Sequence, residues 1–168
     1  ALINVINGNI SFPPLTEDLE TSFPPFGFLV VNPDSGITWV DRNVTGSSSF
    51  STTAAYINNY AYNSTGQEDY FETSVYDLTG LTNPYMTFDV AHAPYSASFI
   101  DALRIDVSTN CGDNFIPAGY YKEGLTLGTL GGYNTTTGWE PLDGTEWRND
   151  TVDLTAFAGQ QVILRFTN

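Results

Sequence analysis

Histidine occurs once in this 168-residue chain, as His92, and cysteine once, as Cys111. A single histidine excludes the two-histidine motifs of metallohydrolases, and a single cysteine excludes an internal disulfide framework. A catalytic thiol would need a base, and His92 is the only histidine that could serve. Cys111 reads instead as a small buried residue, or as half of a pair with a cysteine outside this stretch. Basic side chains are scarce too: Arg42, Arg104, Lys122, Arg148 and Arg165 stand against 19 Asp and Glu, a formal charge of −14. Phosphate binding needs clustered Lys and Arg, so nucleic acid is a poor partner and an anionic membrane surface is disfavoured. Apolar runs are short. Phe26 to Val31 is far below the length of a membrane span. No basic segment followed by an apolar one opens the chain, so any signal peptide is expected to have been removed.

What is present is aromatic and acidic. With 11 Phe, 10 Tyr and 3 Trp, and 41% hydrophobic residues, the chain can bury enough apolar surface to order one domain. The acidity has two compatible readings: a repulsive, solvated surface that keeps an extracellular protein soluble, and carboxylates that converge on Ca²⁺, which prefers oxygen ligands. A disulfide-free, low-lysine, Thr/Asn/Gly-rich composition fits a bacterial extracellular protein. The Asn-x-Ser/Thr sequons at Asn9, Asn43, Asn63, Asn134 and Asn149 matter only in a eukaryotic secretory pathway.

Period-two alternation predicts strands. Met86, Phe88 and Val90 share one face, as do Leu103, Ile105 and Val107, and Val162, Leu164 and Phe166 repeat the scheme. Between such runs lie the turn signals Asn32-Pro33-Asp34-Ser35-Gly36, Thr79-Gly80, Asn83-Pro84, Asn110-Cys111-Gly112-Asp113, Gly131-Gly132 and Asp143-Gly144. No window reads as an amphipathic helix, and Leu154 to Ala158 offers a single turn. The pattern predicts an all-β, antiparallel jelly-roll sandwich over residues 15–168, with 1–14 as a linker stiffened by Phe12-Pro13-Pro14. The stretch from Tyr56 to Tyr62 reads as a strand and turn.

The candidate sites follow from residue type. Asp18 and Glu20 would face one side of a strand, and two such carboxylates call for a cation between them. Asp34, Asp41, Asp89 and Asp101 are further oxygen donors, each also explicable as a turn or edge residue bonded to backbone. His92 and Asp101 with Ser96 or Ser98 supply the residue types of a triad. The chain has no Gly-x-Ser-x-Gly elbow, though, and nothing sets two carboxylates across a cleft as in a glycosidase. Catalysis is not expected. Tyr56, Tyr60, Tyr62, Tyr95, Tyr120, Tyr121, Tyr133 and Trp139 could stack on sugar rings or serve as core and loop anchors; Tyr95, Tyr120 and Tyr121, beside loops, are the ligand-binding candidates. Trp39 and Trp147 read as core.

An ordered series of motifs carries a resemblance. Glu17-Asp18-Leu19-Glu20, Phe23-Pro24-Pro25-x-Gly27-Phe28, Asn32-Pro33-Asp34 and Thr38-Trp39 open it. Ala55 to Tyr60, Asp69 to Thr73, Asp77-Leu78 and Thr87 to Tyr95 continue it, and Asp101 to Gly112, Glu146-Trp147-Arg148, Val152-Asp153-Leu154 and Ala158-Gly159-Gln160 complete it. From Glu17 onward the chain resembles the MAM-like, cleaved-adhesin or choice-of-anchor jelly-roll domains of large secreted Bacteroidetes proteins, especially flavobacterial ones. Phe28 stands where that pattern usually has Trp, and Asn110 where it has Asp. The resemblance implies a galactose-binding-like sandwich, type IX secretion and a multidomain parent carrying PKD repeats, fibronectin-like domains or a metalloprotease. It also implies a structural calcium site at Asp18 and Glu20, completed by backbone carbonyls and a later Asp. The family pattern continues beyond the last strand, whereas this sequence stops at Phe166-Thr167-Asn168. Two alternatives are expected: either the final strand is missing from this stretch or another chain supplies it, and an unpaired edge would be a site for strand addition. Asp150-Thr151-Val152 resembles the O-glycosylation pattern of the same bacteria.

Two functions are expected from these readings. One is a non-catalytic adhesion or carbohydrate-binding module at the cell surface, stabilised by calcium and binding a glycan or surface protein. The other is a structural domain of a secreted multidomain enzyme, in contact only with its neighbouring domains.

Overall fold

The computed structural model describes residues 10, 11, 13, 15–46, 52–62, 65–134 and 138–168. Phe12, Pro14 and the sequons at Asn9 and Asn63 lie outside them. Eleven strands occur in the described chain: β1 (Ile10–Ser11), β2 (Leu29–Val31), β3 (Val40–Asn43), β4 (Thr53–Tyr56), β5 (Tyr70–Glu72), β6 (Val75–Asp77), β7 (Tyr85–Val90), β8 (Ala102–Ser108), β9 (Ile116–Glu123), β10 (Arg148–Asp153) and β11 (Gln161–Thr167). Helix is confined to one turn, α1 (Gly124–Leu127), and two 3₁₀ turns, Gly144–Glu146 and Thr155–Phe157. The expected single turn near Leu154 is the second of these.

Strand β11 organises the large sheet. One of its edges runs antiparallel to β8, from Ile163 opposite Ser108 to Thr167 opposite Arg104. The other pairs β6 through Gln161 and Val162, then β5 through Arg165 to Thr167. Between β5 and β6 the chain departs from the ladder at Thr73-Ser74, where side chain replaces backbone. Leu164 N–H donates to Thr73 Oγ1 at 3.0 Å and Thr73 N–H donates to the Leu164 carbonyl at 2.8 Å. Strand β2 extends the sheet beyond β5, β9 beyond β8, and β1 lies parallel to β6. A β-bulge shifts the β8–β9 register after Ile105, and Gly119 at φ +84° supplies the left-handed residue it needs.

Strands β7 and β10 form a second, two-stranded sheet facing the first, and β3 and β4 form a separate hairpin. The faces read from the sequence meet here. Ile105, Val107, Leu164, Val162 and Val152 are essentially sealed from solvent, and Met86, Phe88, Val90 and Phe166 pack against them. The molecule is a β-sandwich with this core between its layers. A second apolar knot lies at one end, where Phe71 stacks on Phe23 at 5.4 Å and also touches Phe28, Trp39 and Phe166. The Phe23-Pro24-Pro25 segment thus serves as packing. Gly27 admits its close approach: a Cβ there would lie 3.1 Å from Ser74 Cβ, at φ +83°.

Two expectations of burial are corrected. Cys111 is exposed in the turn after β8, at φ +61°, because Asn110 and Gly112 bond to Ser108 and turn the chain outward. Trp147 stands outside the core cluster, half-buried, with its indole N–H on the Thr45 carbonyl, whereas Trp39 does pack on the core.

Electrostatics tie the two layers together. Asp150, on β10 and buried, accepts from the Tyr120 hydroxyl at 2.8 Å and from Lys122 Nζ at 2.7 Å, both on β9. Arg148 binds it as well and reaches back to the carbonyls of Leu127 and Gly128. These donors outweigh the cost of burial and hold the Asp150 carboxyl down to about 2. A depressed acid stabilises the fold above its unfolded value near 4, and that contribution is lost as pH falls toward 2. Asp150→Asn is therefore expected to destabilise the domain by about 3 kcal/mol at pH 7. The gap to the parent should shrink between pH 4 and pH 2, as read by denaturant melts across that range.

Candidate functional site

Two loops and three strand ends meet at one end of the large sheet. The β2–β5 register sets Val31 opposite Tyr70, so Asn32 follows on beside Asp69. On the other side of Asp69 the backbone pairs with Asn168: Asp69 N–H donates to the Asn168 carbonyl at 3.2 Å, and Asn168 N–H returns the bond at 3.1 Å. The Trp39 indole donates to the Asp69 carbonyl at 3.2 Å, which fastens the loop between β2 and β3 across the same position. Asp69 is 0% exposed, yet neither oxygen of its carboxylate has a hydrogen-bond partner. Asn32 Oδ1 and Thr38 Oγ1, from the same loop, are likewise buried and unpartnered.

Asp34 closes that loop. Its Oδ1 accepts from Gly36 N–H at 2.7 Å and its Oδ2 from the Tyr62 hydroxyl at 2.8 Å. These bonds keep its carboxyl below the usual range. Desolvation, with Asp34 and Asp69 both near its hydroxyl, holds the Tyr62 phenol far above its ordinary value. The two carboxylates therefore converge on one hydroxyl. The turn that carries Tyr62 is itself tied to the last residue by a reciprocal pair of amide bonds between Asn59 and Asn168.

From the same turn Tyr60 points the other way. Its ring packs on Tyr95 at 6.0 Å, and Tyr95 meets Phe99 edge to face at 5.6 Å. Tyr60 and Phe99 are each 60% exposed. This row of rings lies at the mouth of an open cleft of about 1920 Å³, bordered also by Tyr121, Asp101 and the inner face of β7. Among the described residues, the second edge of β7 pairs with no strand.

The residues singled out in the sequence are scattered across this frame. Asp18 and Glu20 are not on a strand: Leu19 between them has φ +63°, and Glu20 N–H bonds back to Asp18 Oδ1. The Glu20 carboxylate takes the backbone N–H groups of Thr52 and Thr53 at 2.5 and 2.7 Å, together with both hydroxyls. It pins the loop to the start of β4. Asp41 is exposed on β3, and Asp89 on β7 accepts from Asn149 at 2.8 Å. Tyr120 is buried, with its hydroxyl on Asp150 and its ring against Phe88, so it offers no face to a ligand. Tyr121 is exposed, its hydroxyl on Glu123. Of the five metal candidates Asp18, Glu20, Asp34, Asp89 and Asp101, only Asp34 shares the loop of Asn32 and Thr38 and the Tyr62 hydroxyl that Asp69 also acts on. Asp69 was legible only as one residue of a motif; no pattern in the sequence marks it as sealed.

His92 Nε2 lies 3.8 Å from Asp101 Oδ2, too far for a hydrogen bond, and it is buried without a partner. The Ser96 hydroxyl accepts from Ser98 N–H within its own turn. This is a packed imidazole beside a half-buried acid, with no nucleophile in hydrogen-bond contact.

The fold these elements build is an antiparallel, jelly-roll-type β-sandwich. No family model matches the chain, and no curated protein matches it. Solved structures do. The K2 cleaved adhesin domain of Lys-gingipain aligns over 90% of this chain and 88% of its own, at 18% identity and a TM-score of 0.58. The K3 cleaved adhesin domain of Lys-gingipain from Porphyromonas gingivalis aligns over 92% and 88%, at 20% identity and a TM-score of 0.54. At these identities the likeness is one of fold.

Burial, with Arg148 adding repulsion, lowers the His92 pKa to about 4. A base depressed in the folded state stabilises above its unfolded value near 6.5, and that contribution is lost as pH falls toward 4. Melting temperatures at pH 7 and 4.5 should therefore fall less steeply in His92→Asn than in the parent chain. An equal fall in both would contradict the burial argument.

Proposed function

We propose that this chain is a non-catalytic, extracellular adhesion module of a large bacterial surface protein, binding a glycan or a surface protein through its aromatic rim and stabilised by calcium. The observation that carries the reading is the row of Tyr60, Tyr95 and Phe99, built from two separate loops along an open cleft, with Tyr60 and Phe99 exposed and Tyr95 half-buried between them. Exposed rings in a row are costly to keep unless something covers them, and their faces suit pyranose rings while neighbouring Asn and Asp side chains suit hydroxyls. The adhesin-type fold of the two solved neighbours supports the same assignment. Export by the type IX system and a multidomain parent belong to this proposal as well.

A second reading has its own support. Both neighbours are named as domains of one larger protein, Lys-gingipain. A domain of this kind can serve as an accessory unit that touches only adjoining domains. The two readings separate on a glycan array followed by titration of any hit. Under the first, Tyr95→Ala and Phe99→Ala each weaken binding roughly tenfold, about 1.4 kcal/mol, with the melting temperature little changed. A blank array, with the same rim buried against a neighbouring domain in the full-length protein, favours the second.

A further inference from the structure

We infer that the cleft between β7 and β4 is a docking groove for an extended segment of another polypeptide, which adds as a strand to β7 and presents apolar side chains inward and Lys or Arg outward. This goes beyond the rim reading above and does not depend on a glycan. All six residues of β7 border the cleft, but from its partner β10 only Asn149 does. Likewise all four residues of β4 border it, and none of β3. The open space therefore runs along the two strand edges that β10 and β3 leave unpaired among the described residues.

A free strand edge attracts foreign strands, and folds ordinarily guard it with charge, proline, a bulge or brevity. The other edges here are guarded. Strands β1 and β2 are two and three residues long, and β9 carries Pro117, Lys122 and the bulge. Strand β10 carries Arg148, Asp150 and Asp153, and β3 carries Asp41 and Arg42. By contrast β4 has neither charge nor proline, and β7 has only Asp89. The unguarded edges are thus the two that face the cleft. The inner face of β7 is also incompletely covered: Met86, Phe88 and Val90 are half-buried, whereas Ile105 and Val107 on β8 are sealed. Leu103, Leu164 and Phe166 line the same space, so an added strand would cover apolar surface of both layers.

Size and charge define the occupant. The cleft, about 1920 Å³, exceeds the roughly 300–1,000 Å³ of small-molecule sites and suits a length of polypeptide. In strand addition the main-chain ladder supplies affinity and alternate side chains supply specificity. Period two sends every second side chain of the segment onto the apolar floor, and the others stand outward beside Tyr85 and Asp89. Around the cleft stand Glu17, Asp18, Glu68, Asp89, Asp101 and Glu140. The one Lys or Arg among its lining residues is Arg104, already paired with Glu68 and Asp106. His92 also borders the cleft, and its depressed pKa leaves it uncharged at neutral pH. A groove of this sign favours a cationic segment and repels an acidic one.

The test uses the whole chain and a capped octapeptide of alternating Lys and Val, reading binding by calorimetry and amide hydrogen exchange across β7. The peptide should slow exchange of the β7 amides that point away from β10, by about tenfold or more at saturation. A Glu-Val octapeptide should bind at least about tenfold more weakly, and added salt should weaken the Lys-Val peptide. Methylating the pairing amide nitrogens of the Lys-Val peptide should abolish binding, because the ladder is lost. Thr87→Lys puts on the exposed face of β7 the guard that its edge lacks. It should weaken binding about tenfold while melting with the parent, which establishes that the variant folds. Unchanged β7 exchange with the Lys-Val peptide, equal binding of the methylated peptide or tighter binding of the Glu-Val peptide overturns the inference. So does full protection of those amides in the chain alone, since a segment of the same chain would then fill the groove. The glycan array reads the rim, so a blank array with a normal β7 response sinks only the rim reading.

Discussion

Strand β11 imposes the constraint on which the rest of this fold depends. It lies inside the large sheet with a ladder on each edge, and Val162 and Leu164 must also be sealed on one face. A strand in that position cannot lend backbone groups to water, so every neighbour has to meet it in register. The clearest sign is at Thr73, where a side-chain hydroxyl takes over a ladder bond at the point where β5 and β6 part. Once β11 is held, Thr167 and Asn168 arrive beside Tyr70 and Asp69, and the polar end of the sheet is assembled as a consequence.

Charge is the second organising influence. Of the five cations set against 19 carboxylates, four sit on buried or nearly buried carboxylates, and Arg42 pairs with exposed Glu140. Lys122 and Arg148 compensate Asp150 between the layers, Arg104 compensates Asp106, and Arg165 holds Glu72 while stacking on Phe115 and Tyr70. Asp69 receives none of them.

Much of the architecture was legible beforehand because alternation is a local property. Met86, Phe88 and Val90, and likewise Leu103, Ile105 and Val107, had only one face to hide, and the turns between strands carried their own Gly, Asn and Asp signals. The site was much less legible. Tyr120 and Tyr121 are adjacent in a loop-flanked strand and look alike in sequence, yet the pleat sends one ring into the core and the other into solvent. Asp18 and Glu20 looked like a strand pair, but a left-handed residue at Leu19 turns them apart. Cys111 looked buried by type, and hydrogen bonds to Ser108 turn its loop outward.

The sequence by itself determined the all-β class, the inward faces of the main strands, the absence of a metallohydrolase histidine pair and the anionic character, since each depends on residue type and near-neighbour spacing. Only the tertiary structure decided which carboxylate is sealed and which rings are displayed. Asn32, Asp69 and Asn168 lie far apart along the chain, and their approach follows from strand register across two ladders, β2–β5 and β5–β11. Long-range pairing of that kind leaves no local periodicity for a sequence to reveal.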